Sequence, residues 1–369
     1  MTFHPSRSYT RRRFLTTSAG AISGLALSSC GWTLAEVHPA PQQGNADELY
    51  IYTWASYIDQ KLLEEFTAQT GIKVIADIYD SNETMLATFQ AGRGAIYSII
   101  YPSDYSVTKM KQSNLLTRLD HGRIAGLDNT LALFQDSSYD PGNHYSVPIS
   151  WGTTGFIYDR EKLPDPPDDW DYLWRNQANL ARRMTLLNDT REVMGGVLRS
   201  LGYSYNSKNP KHIQQAYEKL LTLKPAIASF TTDAWKDQLL AGDLLLAMGY
   251  SSDAVLVMQQ NPKLQYAVPK SGTSLWSDTM VIPSTAPNPS AAYAWINYML
   301  QPGVASQVTQ RLFFATPNQA AFDQLPDPLR NNPALFPSEQ LLERCERIAP
   351  LDHKVTELYE RYWTRLTSG

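Results

Sequence analysis

The sequence predicts an α/β fold, an open and mostly parallel sheet flanked by helices. Three observations carry that prediction. Apolar stretches with the two-residue period of strands alternate with stretches of helical period from Leu49 onward. The chain's 369 residues suffice for two domains of about 150 residues each. Its composition, 43% hydrophobic and 18% charged, is that of a globular protein rather than a disordered or fibrous one.

The first segment is an address. Thr10-Arg11-Arg12-Arg13-Phe14-Leu15 leads into Ala21-Ile22-Ser23-Gly24-Leu25-Ala26-Leu27 and then Ser28-Ser29-Cys30. A basic start, a short apolar centre and small residues before a cut describe an export signal over residues 1–29, too short for a permanent membrane span. The paired arginines before Phe14-Leu15 are similar to a twin-arginine signal. Leu27-Ser28-Ser29-Cys30 resembles the bacterial lipoprotein box, in which Cys30 becomes the lipidated first residue and holds the mature protein on the outer face of the cytoplasmic membrane. An ordinary signal with a coincidental cysteine is the alternative. Residues 30–47 read as a flexible tether. No later window supplies the 18 uncharged apolar residues of a spanning helix.

Leu49–Trp54 reads as a strand, and Ile58, Leu62 and Phe66 then recur at helical spacing through Asp59–Thr70, with Gly71 as the stop. Ile72, Val74, Ala76 and Ile78 alternate as a second strand. Met85, Leu86 and Phe89 mark a helix over Asn82–Gly92, and Ile96–Tyr101 is a third strand. This β-α-β-α-β order is the pattern of a parallel sheet. Ligands bind such sheets beyond the carboxyl ends of the strands.

The loops at those ends share a chemistry. They read Trp54-Ala55-Ser56-Tyr57, Tyr101-Pro102-Ser103-Asp104-Tyr105, Asn188-Asp189-Thr190-Arg191-Glu192, Gly249-Tyr250-Ser251-Ser252-Asp253 and Leu275-Trp276-Ser277-Asp278, the last before a separate apolar strand, Met280–Pro283. Aromatic rings, short hydroxyls and carboxylates dominate, and Arg191 is the one basic group. An ammonium leaving water needs carboxylates or ring faces, and charge-assisted hydrogen bonds are roughly twice as strong as neutral ones. Methylenes between two ammoniums gain about 0.8 kcal/mol each on burial. The lining therefore suits a slender molecule with cationic ends and an apolar middle.

Charge and motifs narrow the function further. Net charge is -4, but residues 1–29 hold four arginines and no acid, so removing those four from 32 basic residues leaves 28 against 36 acidic and a charge of -8. That balance argues against nucleic acid as a partner. The two cysteines, Cys30 and Cys345, exclude a disulfide framework and a cysteine-based zinc cluster, and Cys345 reads as a partly buried helix residue. Phosphate-loop, dinucleotide and nucleophile-elbow motifs are absent, and the six histidines are scattered. The reading is a non-enzyme without cofactor or metal.

From Leu49 to the C-terminus the chain resembles the bacterial spermidine/putrescine-binding periplasmic proteins, the solute receptors of polyamine ABC importers. The likeness rests on Glu64-Glu65-Phe66-Thr67 through Gly71-Ile72-Lys73-Val74, Ser81-Asn82-Glu83-Thr84-Met85, Pro102-Ser103-Asp104-Tyr105, Trp151-Gly152-Thr153-Thr154-Gly155, Thr190-Arg191-Glu192-Val193 and Ala315-Thr316-Pro317-Asn318. It implies a two-lobed periplasmic-binding-protein clamp, each lobe a mostly parallel sheet flanked by helices, with the ligand in the interlobe cleft. Residues 47–153 and 278–322 would form one lobe, and 154–277 and 323–369 the other. The hinge would lie near Gly152–Gly155 and Ser274–Asp278. Trp54 and Tyr57 would line the slot, and Ser103 and Tyr105 would hydrogen-bond an amine. Asp189, Glu192 and Asp278 would face ammonium groups, and Tyr250 and Trp276 would pack on methylenes. Asp253 matches an acidic position of putrescine-preferring members, while Ala55, Tyr250 and Phe314 depart from common hydroxyl, Trp and Tyr positions. The implied partners are a polyamine, a membrane permease and an ATPase, with the receptor a monomer.

Structural roles compete for several of these residues. Asp189 and Glu192 fit a capping box, Asp278 fits a turn cap, and Asp253 fits the start of a helix Ala254–Gln260. Trp54 and Trp276 also suit a core, to which Tyr50, Tyr52, Tyr293, Trp295 and Tyr298 are assigned. Arg191 is expected to ion-pair with a neighbouring carboxylate. Competing cargoes on the same architecture are ferric ion, held by tyrosines, a 4-aminobutyrate-like amine, which would need Arg191 or Arg311, and a sugar.

Overall fold

The computed structural model describes residues 45–57, 59–163 and 165–368. The export signal, Cys30, the tether up to residue 44, and Ile58 lie outside the described residues. Among those described, nine strands join in one sheet: β1 (Glu48–Trp54), β2 (Lys73–Tyr79), β3 (Ile99–Ile100), β4 (Ser146–Asp159), β5 (Met184–Leu186), β6 (Ile227–Phe230), β7 (Leu246–Tyr250), β8 (Leu264–Ala267) and β9 (Leu275–Val281). Their order is β2-β1-β3-β9-β4-β7-β5-β6, with β8 also on β4.

Two parallel trios sit at the ends of that order. β1 runs parallel to β2 and β3, and β5 runs parallel to β6 and β7. Between them β9 and β4 are antiparallel to each other and to their outer neighbours. The first part of β4, Ser146–Thr153, pairs with β9, and Thr154–Tyr158 pairs with β7. One fourteen-residue strand thus belongs to both halves. The C-terminal segment crosses as well: Glu346 bridges Ser274, and Arg347 donates to Asp104 Oδ2 at 3.2 Å.

Local sequence explains where the elements begin and end. Asp59 accepts from the Leu62 amide to open the helix Gln60–Thr70, and Gly71, at φ 75°, closes it in the left-handed region that favours glycine. Ser81 accepts from the Thr84 amide and starts the helix Asn82–Gln90. The expected third strand shortens to Ile99–Ile100, because Arg93–Ile96 winds into a tight turn of helix. The separate strand expected after Asp278 is instead continuous with it, and Asp278 lies mid-strand in β9, not at a turn. Cys345 follows the short helix Glu339–Leu342 and is not part of it.

Each half has its own core. Leu49, Ile51, Phe66, Ile99, Met280 and Trp295 pack beneath the first trio, with Tyr293 and Tyr298 in the same cluster as expected. Phe156, Trp170, Leu186, Met194, Tyr205 and Leu246 pack around the second. A smaller cluster, Phe134, Trp151, Leu275 and Ala315, occupies the crossing of β4 and β9. Among the described residues no helix is long and apolar enough to cross a membrane.

Candidate functional site

The carboxyl ends of both trios open into one cleft of about 1310 Å³. Trp54, Ser103, Tyr105, Asp189, Glu192, Tyr250, Asp253, Trp276, Asp278 and Phe314 all line it. The strand-end rule thus brought ten of the candidate residues to one cleft. Nine acidic and three basic side chains face this space.

Asp278 is held from two sides. β9 carries it opposite Ser150 of β4. Ser103 Oγ donates to Oδ1 at 2.7 Å, and the Tyr57 hydroxyl donates to Oδ2 at 2.9 Å. The side chain is 8% exposed, and burial pushes its carboxyl up to about 6, against the pull of those two hydroxyls. Tyr57 itself does not line the cleft. It is buried behind the wall, stacked on Phe314 with ring centres 4.3 Å apart. The chain turns after β1, so the ring enters the core and only its hydroxyl reaches the site residue.

The opposite wall is the start of the helix Thr190–Ser200. Asp189 is its N-cap, accepting from the amides of Arg191 and Glu192 on a single oxygen, Oδ1. The capping box is half made, since Glu192 does not reach back. Its carboxylate is turned inward, 2.7 Å from Ser274 Oγ and 2.9 Å from the Tyr205 hydroxyl. Burial, with Asp189 next to it, pushes Glu192 up to about 7. Gly195 makes this possible, because a Cβ there would collide with the Tyr205 ring.

Arg191 overturns its expectation. Its guanidinium donates to the Ala349 carbonyl and to Asn206 Oδ1, both at 3.0 Å, and lies 5.5 Å from the Tyr359 ring centre. Neutral oxygens hold it, one from the C-terminal segment and one from the loop after this helix, and among the described residues Asp189 and Glu192 carry no ion pair. Asp253 departs in another way. The helix begins at Ser251, not Ala254, and Asp253 in its first turn pairs with Lys236 at 2.9 Å.

Aromatic side chains build the floor. Trp276 and Tyr250 meet edge to face at 5.8 Å, and Trp54 leans on Tyr79 at 4.5 Å. Burial holds the phenols of Tyr105 and Tyr250 well above their ordinary range, so both stay protonated. Sequence reasoning missed four contributors. Tyr79 stands at the carboxyl end of β2 and Asp233 just beyond β6, both positions the strand-end rule covers. Asn82 donates to the Tyr105 hydroxyl at 3.0 Å and accepts from the Ser103 amide, which no spacing announces. Lys236 comes from a different helix and carries no local signal.

The profile of the bacterial extracellular solute-binding proteins matches residues 61–337. The spermidine/putrescine-binding periplasmic protein of Salmonella typhimurium is 34% identical over 331 residues, covering 89% of this chain and 94% of its own. The putrescine/cadaverine-binding protein of Pseudomonas aeruginosa is 31% identical, covering 89% and 95%. Among solved structures, the spermidine/putrescine ABC transporter substrate-binding protein of Streptococcus pneumoniae superimposes with a TM-score of 0.79 at 36% identity, covering 87% and 99%. A lipoprotein of Treponema pallidum superimposes with the same score at 27% identity, covering 88% and 100%. The chain belongs to the bacterial extracellular solute-binding proteins, within the group that includes the spermidine/putrescine-binding periplasmic proteins.

Proposed function

We propose that this protein is a polyamine receptor that delivers putrescine, spermidine or both to an ABC importer. The observation that carries the reading is that, among the described residues, Asp278 and the Asp189–Glu192 pair, on opposite walls of an aromatic cleft, receive only hydroxyl and backbone donors. A ligand ammonium would be their first cationic partner, and charge-assisted bonds are the strong ones. Trp54, Tyr105, Tyr250, Trp276 and Phe314 would cover the methylenes, and Ser103 would orient one amine. A micromolar dissociation constant corresponds to -8.2 kcal/mol, within reach of such contacts. The names of the relatives support the cargo.

In this reading residues 47–153 with 278–322, and 154–277 with 323–369, move as two lobes about β4 and β9, and a ligand touching both walls favours the closed form. The separate cores of the two halves support that division. The closed monomer would dock on a permease whose ATPase partner drives transport, and the chain would act by binding alone. Residues 1–29 would direct export and Cys30 would carry a lipid, in keeping with the lipoprotein among the relatives. Mass spectrometry of the membrane-associated protein tests this: an acylated Cys30 at the N-terminus is expected, and an unmodified one removes the anchor.

Titration calorimetry of the mature chain with putrescine, spermidine, 4-aminobutyrate, ferric ion and maltose tests the cargo. Micromolar binding of a polyamine alone is expected. Tighter binding of any other ligand overturns the assignment.

A further inference from the structure

Lys236 is an ammonium built into the cleft wall at Asp253, whereas Asp278, Asp189 and Glu192 have no cation within ion-pair distance among the described residues. It projects from the helix Trp235–Ala241, and its Nζ lies 2.9 Å from Asp253 Oδ1 and 2.9 Å from Asp233 Oδ1. All three side chains line the cleft. Asp253 is 18% exposed, and Lys236 is its one partner among the described residues. The anchor beneath is firm: Trp235 is fully buried, and its indole donates to the Thr232 carbonyl at 2.8 Å. Burial alone would lower the Lys236 ammonium, but the two carboxylates outweigh it and hold the group charged.

We propose that Lys236 sets the length of ligand the cleft accepts, by occupying the Asp253 station with the protein's own ammonium and so limiting the cargo to two charged ends. The inference rests on the polyamine reading and deepens it. Of the carboxylates assigned to the ligand, Asp278 and the pair Asp189 and Glu192 have no cation within ion-pair distance among the described residues, and Asp253 already has one. A diamine fills the first two. The third ammonium of a longer triamine meets Lys236 instead of a carboxylate, and it must displace that side chain or sit beside a like charge.

The test compares putrescine and spermidine affinities in the wild type, in Lys236→Met and in the double variant Lys236→Met with Asp253→Asn. Methionine keeps the apolar stem and removes the charge, freeing Asp253 for the third ammonium. The expected result is a rise of about tenfold in the spermidine-to-putrescine affinity ratio for Lys236→Met, lost again in the double variant. A ratio unchanged in Lys236→Met, or a gain that persists without Asp253, overturns the inference. Should Lys236→Met not fold, reductive ¹³C-dimethylation of the wild type reports on Lys236 directly. Saturating spermidine should then move its resonance and putrescine should leave it in place, and equal movement with both overturns the inference. Wild-type protein that binds neither amine overturns the receptor reading and this inference with it; wild-type binding with an unmoved ratio overturns the inference alone.

Discussion

The hydroxyl of Tyr57 supports Asp278 from behind the cleft wall, donating to Oδ2 at 2.9 Å while its ring stacks on Phe314. A hydrogen bond to a charged group contributes about 1.5–3 kcal/mol, and Tyr57→Phe removes it while keeping the stack. Putrescine affinity should fall about threefold to tenfold by calorimetry. Asp278→Asn, which removes the charge itself, should cost more than tenfold, roughly 1.4 kcal/mol or above. An effect of Tyr57→Phe larger than that of Asp278→Asn would show that Tyr57 contacts the ligand itself.

The buried carboxyls make binding depend on pH. Asp278 is raised from 3.8 to about 6 and Glu192 from 4.5 to about 7, in both cases chiefly by burial. A carboxyl whose folded value is raised favours the folded state below its unfolded value, and that contribution is lost as pH climbs through the folded value. The free protein therefore loses stability from these groups between about pH 4 and 7, and a bound diamine, protonated throughout, restores it. Putrescine should raise the melting temperature more at pH 8 than at pH 5.5, and its affinity should weaken about tenfold toward pH 5. A ligand-induced shift that is equal or greater at low pH would contradict the role of these carboxylates.

Asp189 caps a helix with one oxygen, and its charge faces the cleft. The two roles separate by substitution. Asp189→Asn preserves the capping acceptor, so it should lower affinity about tenfold with the melting temperature nearly unchanged. Asp189→Ala should lower both, with about 1 kcal/mol lost from stability. If Asp189→Asn binds normally, Asp189 is a cap and nothing more.

Gly152 lies in β4 opposite Trp276 of β9, and a Cβ at this position would collide with the indole and with Ser251 Oγ. Overpacking of this kind costs about 1–3 kcal/mol. Gly152→Ala should displace Trp276, quench or shift tryptophan fluorescence, and weaken putrescine binding about tenfold with every carboxylate in place. Unaltered affinity would mean that the indole position does not matter to the ligand.

Local signals carried most of the reading. Asp59 with Gly71, and Asp189 with Thr190, marked helix starts and stops because capping is satisfied within a few residues. The same locality placed strand ends and so ten of the eleven proposed ligand residues on one cleft. Tyr57 escaped because whether a ring faces core or cleft depends on the turn that follows β1 and on Phe314, far along the chain. Arg191 escaped for a similar reason: its acceptors, Ala349 and Asn206, belong to distant segments.

The sequence by itself determined the α/β alternation, the acidic and aromatic character of the strand-end loops and the family, since periodicity, caps and motifs are written within short windows. Only the tertiary structure decided which carboxylates remain without a cation. Asp278, Asp189 and Glu192 meet hydroxyls and amides, whereas Asp253 meets Lys236. That division follows from side chains brought together by chain crossings at β4, β9 and the C-terminal segment, and charge pairing depends on distance in space, which spacing along the chain does not encode.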